Sequence, residues 1–172
     1  MLAVVPGAQL IRDKVVTALR DPQAQTQPAG IDLTVDCIES FTTRPSFTVD
    51  LLEAAKTKEV RNKNSAYVLR TGSYKLTFSE EIRIPANCCG LVLPRSSLLR
   101  SGVAVHTALW DPGYEGKGKV LLSVLNRKGA VISIGARVAQ LVVLRLSGEP
   151  HRIYSGQYQR EGMDSTQEES SR

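Results

Sequence analysis

The stretch from Pro94 to Gly116, PRSSLLRSGVAVHTALWDPGYEG, sets a guanidinium, two hydroxyls, a carboxylate and an aromatic ring on turns punctuated by glycine. Arg95 offers a planar fork of donors that fits phosphate oxygens, and Ser96 and Ser97 place hydroxyls beside it. Asp111 precedes a Pro-Gly pair of the kind that makes a tight turn, and Tyr114 follows the pair directly. A carboxylate held there can orient and deprotonate a water, so the stretch has the chemistry to bind and attack a phosphorylated ligand. Each part also has a plain structural reading. Arg-Ser-Ser makes a turn with a local Ser-to-backbone bond, and Asp111 makes the corner of a hairpin.

Two further places carry polar chemistry. In QPAGIDL, Asp32 lies between apolar neighbours in a strand pattern, where a carboxylate needs a partner, structural or functional. In YSGQYQREG, glycines 156 and 162 flank tyrosines, glutamines and an arginine, a composition suited to a mobile segment that closes over phosphates. His106 and His151 have no acidic partner in sequence and read as packed or solvated side chains.

The elements that must position these groups are mostly strands. Leu10, Ile11, Val15, Val16 and Leu19 recur at helical spacing and predict one amphipathic helix over residues 8–19 that ends before Asp21-Pro22. Beyond it, IDLTVDCI, YVLRTGSYKLTF, IRIPANCCGLVL, KVLLSVLN, AVISI and RVAQLVVLRL are short apolar runs separated by Gly, Pro, Asn and charged residues. Strands at that spacing predict a barrel or jelly roll. Residues 50–60, DLLEAAKTKEV, are expected to form a surface excursion. We expect a single domain over residues 1–162 and, from MDSTQEESSR, a disordered tail over residues 163–172.

Composition narrows the function classes. The chain has 172 residues, 42% hydrophobic and 23% charged, and no apolar run nears the roughly 20 residues of a membrane helix, so a cytoplasmic protein with no membrane partner is expected. Much of the net charge of +5 sits in the run Lys56, Lys58, Arg61 and Lys63. With only 5% aromatic residues and none interleaved there, no nucleic-acid partner is expected, and a small anionic substrate accounts for the charge equally well. Cys37, Cys88 and Cys89 lack metal-ligand spacing and read as buried thiols.

The blocks AGIDL at 29–33, PRSSL at 94–98, DPGYEG at 111–116, SVLN at 123–126 and GARVAQL at 135–141 resemble, in order, those of the dUTPase and dCTP deaminase superfamily. The resemblance covers roughly residues 27–160. It implies an all-β fold, a distorted jelly roll (β-clip, dUTPase-like) with one short N-terminal helix, assembled as a homotrimer with sites between subunits. Deaminases of this superfamily carry a glutamate three residues before the Asn of the strand after DPG, whereas Ser123 stands there, and a hydroxyl cannot shuttle protons as a tuned carboxylate does. The stretch VHTALWDPG is one residue shorter than the deaminase pattern, and Trp110 replaces a small aliphatic residue.

The resemblance therefore implies a dUTP diphosphatase that yields dUMP and pyrophosphate, with dCTP deamination and non-catalytic nucleotide binding as alternatives. Asp111 is implied as the residue that activates the attacking water, with Mg²⁺ as cofactor. Asp32 is implied either as the holder of a metal-bound water or as a structural group at the trimer centre. Arg95, Ser96 and Ser97 are implied to contact phosphates, Gln140 to do so from a neighbouring chain, and Arg100 to act as a structural or phosphate-side cation. The uracil is expected to pair with the backbone of the hairpin between Gly102 and Asp111, which contains His106 and Thr107, while Tyr114 packs on the deoxyribose. Near the C-terminus Gln157 and Glu161 depart from the family pattern, which leaves Tyr158, Gln159 and Arg160 as candidate phosphate contacts.

Overall fold

The structure is a computed structural model, and it describes residues 3–163. Its main sheet is ten-stranded and antiparallel, with Gly30–Phe41 near the middle, Arg137–Arg145 on one side, and Gly72–Arg83, Glu115–Val124 and Val103–His106 in turn on the other. Cys88–Pro94 pairs with the far side of Arg137–Arg145. The sheet curls, because Gly90 in that outer strand exchanges backbone hydrogen bonds with Trp110, which follows the opposite edge. Apart from Met163, the tail expected to be disordered lies outside the described residues.

Side-chain alternation builds the strands. In Glu115–Val124 the residues Gly116, Gly118, Val120, Leu122 and Val124 turn inward, while Lys117, Lys119, Leu121 and Ser123 face outward. The first half of Gly30–Phe41 is instead buried on both faces, which is why Asp32 is buried with its apolar neighbours. Tyr67, Phe78, Ile31, Leu33, Leu76 and Leu122 are among the side chains wholly removed from solvent.

The helix expected over residues 8–19 is shorter. It spans Gly7–Arg12, Lys14 turns the chain with φ of 54°, and Val16–Thr17 pairs as a strand with Glu81 and Ile82. Val15 and Val16 are buried as their spacing implied, but their β-branched side chains are buried by strand pairing. Two further short helices occur. Pro22–Gln25 is capped by the Asp21 carboxylate, and Ser96–Arg100 replaces the simple turn expected at Arg-Ser-Ser.

The 50–60 segment is an excursion that contains ordered pieces. Ser46–Phe47 pairs with Leu52–Glu53, and Thr57–Glu59 returns to pair with Glu39, Ser40 and Phe41. All three cysteines are free, and burial pushes each thiol pKa above its ordinary value.

Candidate active site

Asp111 is held by a well-defined turn. The Tyr114 N–H donates to the Asp111 carbonyl at 3.1 Å, Pro112 takes the second position, and Gly113 has a φ of 85°, the geometry of a type II turn. A side chain at residue 113 would be strained in that conformation, and its Cβ would lie 2.0 Å from the Ile153 side chain. Trp110, just before the turn, is fixed by its two bonds to Gly90 at 2.8 and 3.0 Å. The Asp111 side chain projects from this frame into solvent, and among the described residues no cation pairs with it.

An aromatic column supports the turn. Phe78 meets Trp110 edge-on, Trp110 stacks on Tyr114, and Tyr114 meets Tyr154 edge-on, with centroids 6.5, 5.7 and 5.8 Å apart. Tyr114 is only 5% exposed. Burial, with the charges of Glu161 and Tyr154 behind it, pushes its phenol well above the ordinary value, so it acts as a neutral ring.

Asp111, His106 and Tyr114 line a cleft of about 900 Å³. Phe41, Pro45 and Phe47, with Ala54 and Ala55 of the excursion, also line it, as do Lys75 and Lys119 from adjacent strands. Tyr158, about half exposed, and Glu161 line it from the C-terminal segment. The Phe47 wall and the two lysines were not singled out from sequence. The two-residue strands that carry Phe47 leave no periodic signal, whereas Lys119 is marked by the alternation of EGKGKV.

The other candidates form a separate group. The Asp32 carboxylate accepts from Arg95 Nε at 3.2 Å and from Arg137 Nη1 at 3.4 Å, and Arg95 Nη1 reaches the Arg137 carbonyl at 3.3 Å. Burial pushes the Asp32 carboxyl up, and the two guanidiniums pull it back part of the way. Gln140 is the cross-strand partner of Asp32, and Ser96, Ser97 and Arg100 are exposed on the short helix that Arg95 begins. None of these residues lines the Asp111 cleft. Thr107 does not line it either, since its hydroxyl donates to the Val92 carbonyl at 3.3 Å.

A buried network missed by sequence reasoning fixes the strand that carries Asp32. Glu80, fully buried, accepts from Gln25 Nε2 at 2.7 Å, from the Thr34 N–H at 2.9 Å and from the Thr34 hydroxyl at 2.6 Å. Gln25 Nε2 also donates to the Asp32 carbonyl at 2.9 Å.

The C-terminal segment docks on the Asp111 turn and the strand after it through the Gln159 side chain and through backbone bonds. Gln159 donates to the Gly113 carbonyl at 2.9 Å and accepts from the Glu115 N–H at 3.1 Å, so both ends of its amide are engaged. The Arg160 N–H donates to the Glu115 carbonyl, and the Lys117 N–H donates to the Glu161 carbonyl. The Glu161 carboxylate pairs with Lys119 at 2.8 Å.

A curled antiparallel sheet with this strand order defines a dUTPase-like fold. A dCTP deaminase from Agrobacterium tumefaciens superposes over 84% of this chain with a TM-score of 0.62 at 20% identity, and this chain spans 48% of that one. The native EIAV dUTPase superposes over 91% of this chain and 98% of its own, with a TM-score of 0.50 at 18% identity. The family model described as dCTP deaminase-like matches residues 7–146, and the chain belongs to that family. Relatives named probable deoxyuridine 5'-triphosphate nucleotidohydrolase include one from Aeropyrum pernix, 40% identical over 80% of this chain and 86% of its own. Another, from Archaeoglobus fulgidus, is 37% identical over 91% of this chain and 90% of its own.

Proposed function

We propose that the protein is a dUTP diphosphatase, and the observation that carries this reading is the contrast between its two candidate carboxylates. Asp32 is buried and doubly ion-paired, whereas Asp111 is exposed in the cleft on a turn pinned from both sides. A carboxylate so held orients a water in line with the α-phosphorus and takes its proton. The water oxygen bonds to phosphorus, the bond to the bridging oxygen breaks, and dUMP and pyrophosphate leave. Tyr114, buried in the aromatic column, gives the deoxyribose a flat wall with no room for a 2′-hydroxyl.

Arg95, Ser96, Ser97 and Gln140 lie apart from the cleft, which supports a homotrimer in which a neighbouring chain supplies phosphate contacts. Among the described residues no three carboxylate, imidazole or thiol groups cluster as a metal cage, and the Asp32 carboxylate already has two guanidinium partners. A divalent ion would be carried on the substrate's phosphate oxygens, with Asp32 reaching it through a water, a fit that needs no protein cage. Mg²⁺ bound in that way supplies neutralisation of the charge that develops on pyrophosphate.

The test is to incubate the protein with Mg²⁺ and either dUTP or dCTP, assaying pyrophosphate and ammonia, beside the Asp111→Asn variant. Pyrophosphate from dUTP, lost in the variant, is the expected result. Ammonia from dCTP would mean that a deaminase works without a carboxylate at Ser123, and binding without turnover would mean a nucleotide-binding regulator.

A further inference from the structure

Of the described residues that line the Asp111 cleft, Lys75 and Lys119 are the lysines, and they are held differently. Lys75 is fixed from within the sheet, by Glu39 at 2.9 Å and by the Thr57 hydroxyl at 2.8 Å. The partner of Lys119 is the Glu161 carboxylate, which belongs to the C-terminal segment. Both members of this second pair keep some contact with solvent, with side-chain exposures of 32% and 20%, so the pair is open to exchange.

The backbone around Glu161 does not depend on that pair. The Glu161 carbonyl accepts from the Lys117 N–H at 2.9 Å, the Arg160 N–H donates to Glu115 at 2.8 Å, and Gln159 clamps Gly113 and Glu115 with both ends of its amide. The carboxylate can therefore swing away while the segment stays docked.

We propose that Lys119 is a phosphate ligand of the cleft, masked in the free protein by Glu161 and taken over by the triphosphate of the bound nucleotide. The inference rests on the dUTPase reading above. A triphosphate brings about four negative charges on several oxygens, against one on the carboxylate, and it competes for an ammonium that accepts any geometry of approach. The displaced Glu161 turns to solvent. The contact thus lowers affinity for the triphosphate by the cost of displacing Glu161, whereas dUMP, too poor in phosphate to displace it, binds with the pair intact and should be unaffected by Glu161→Gln.

The test is calorimetric titration with α,β-imido-dUTP and with dUMP, using wild type, Glu161→Gln, Lys119→Met and the double variant, each checked for an unchanged melting temperature. The expected result is that Glu161→Gln binds the imido triphosphate about fivefold more tightly, that Lys119→Met binds it more weakly, and that Glu161→Gln has no effect once Lys119 is gone. Equal or weaker binding by Glu161→Gln would overturn the proposal while leaving the dUTPase reading intact. Failure of wild type to bind the imido triphosphate at all would remove that reading and the proposal with it. Hydrogen exchange gives a check that needs no variant. The Lys117 amide should stay protected when the imido triphosphate binds, and its loss of protection would mean that the whole segment lifts, contrary to the proposal.

Discussion

Trp110 lies on Tyr114, with ring centroids 5.7 Å apart and planes 28° from parallel. Through this stack the residue before the candidate base and the residue proposed to face the sugar become one rigid unit, tied to the core by Phe78 and to the outer strand by Gly90. The same ring explains Gly118, where a Cβ would lie 2.4 Å from the indole. Replacing Trp110 with Ala should cost about 3–5 kcal/mol, as large aromatic truncations in cores do, and should lower kcat by loosening the turn. Trp110→Phe should recover part of both losses. Thermal melts and steady-state kinetics check this, and a Trp110→Ala variant with wild-type kcat would show that the stack supports the fold alone.

Tyr114 should control sugar selectivity. Its ring is buried between Trp110 and Tyr154, so Tyr114→Ala opens space where the 2′-carbon of a nucleotide would lie. The ratio of kcat/KM for dUTP to that for UTP should fall by about tenfold or more, the loss of one close steric contact. Tyr114→Phe should keep the ratio. An unchanged ratio in the Ala variant would remove the steric role.

The C-terminal segment is part of the cleft and not an appendage to it. Truncation after Tyr154 removes Tyr158 and Glu161 from the lining and the Gln159 clamp from the turn that holds Asp111. KM should rise and kcat should fall together, because both the wall and the turn are loosened. Kinetics identical to those of the full chain would exclude the segment from the site.

The parts legible in sequence are those with a local physical signature. The apolar run KVLLSVLN marked the second half of Glu115–Val124, and Asp-Pro-Gly marked the turn that presents Asp111. The first helix was read too long because Val15 and Val16 are buried at helical spacing, and only the left-handed Lys14 turns the chain into the strand Val16–Thr17. The Asp32–Arg137 pair joins residues 105 positions apart, so strand register decides it and no local pattern announces it. The same holds for Glu80, whose partners Gln25 and Thr34 lie 55 and 46 positions away. Phe47 reaches the cleft from a hairpin whose strands are two residues long, too short to carry a period.

Glu39 sets an acid limit on stability that can be measured. Burial tends to raise its carboxyl, but the hydrogen bonds from Thr57 and Lys75 and the charges of Lys75 and Lys119 outweigh burial and hold it below the ordinary 4.5. The folded state thus prefers the ionised form more strongly than the unfolded chain does. The resulting stabilisation is fully present above 4.5 and is lost as the pH falls through the lowered folded-state value. Glu39→Gln should therefore be less stable than wild type at neutral pH, by up to about 1 kcal/mol for a partly exposed pair, and the gap should close on acidification. Denaturant midpoints of both proteins, compared at neutral pH and well below 4.5, measure it. A gap of the same size at both ends would assign the effect of Glu39 to packing and not to its charge.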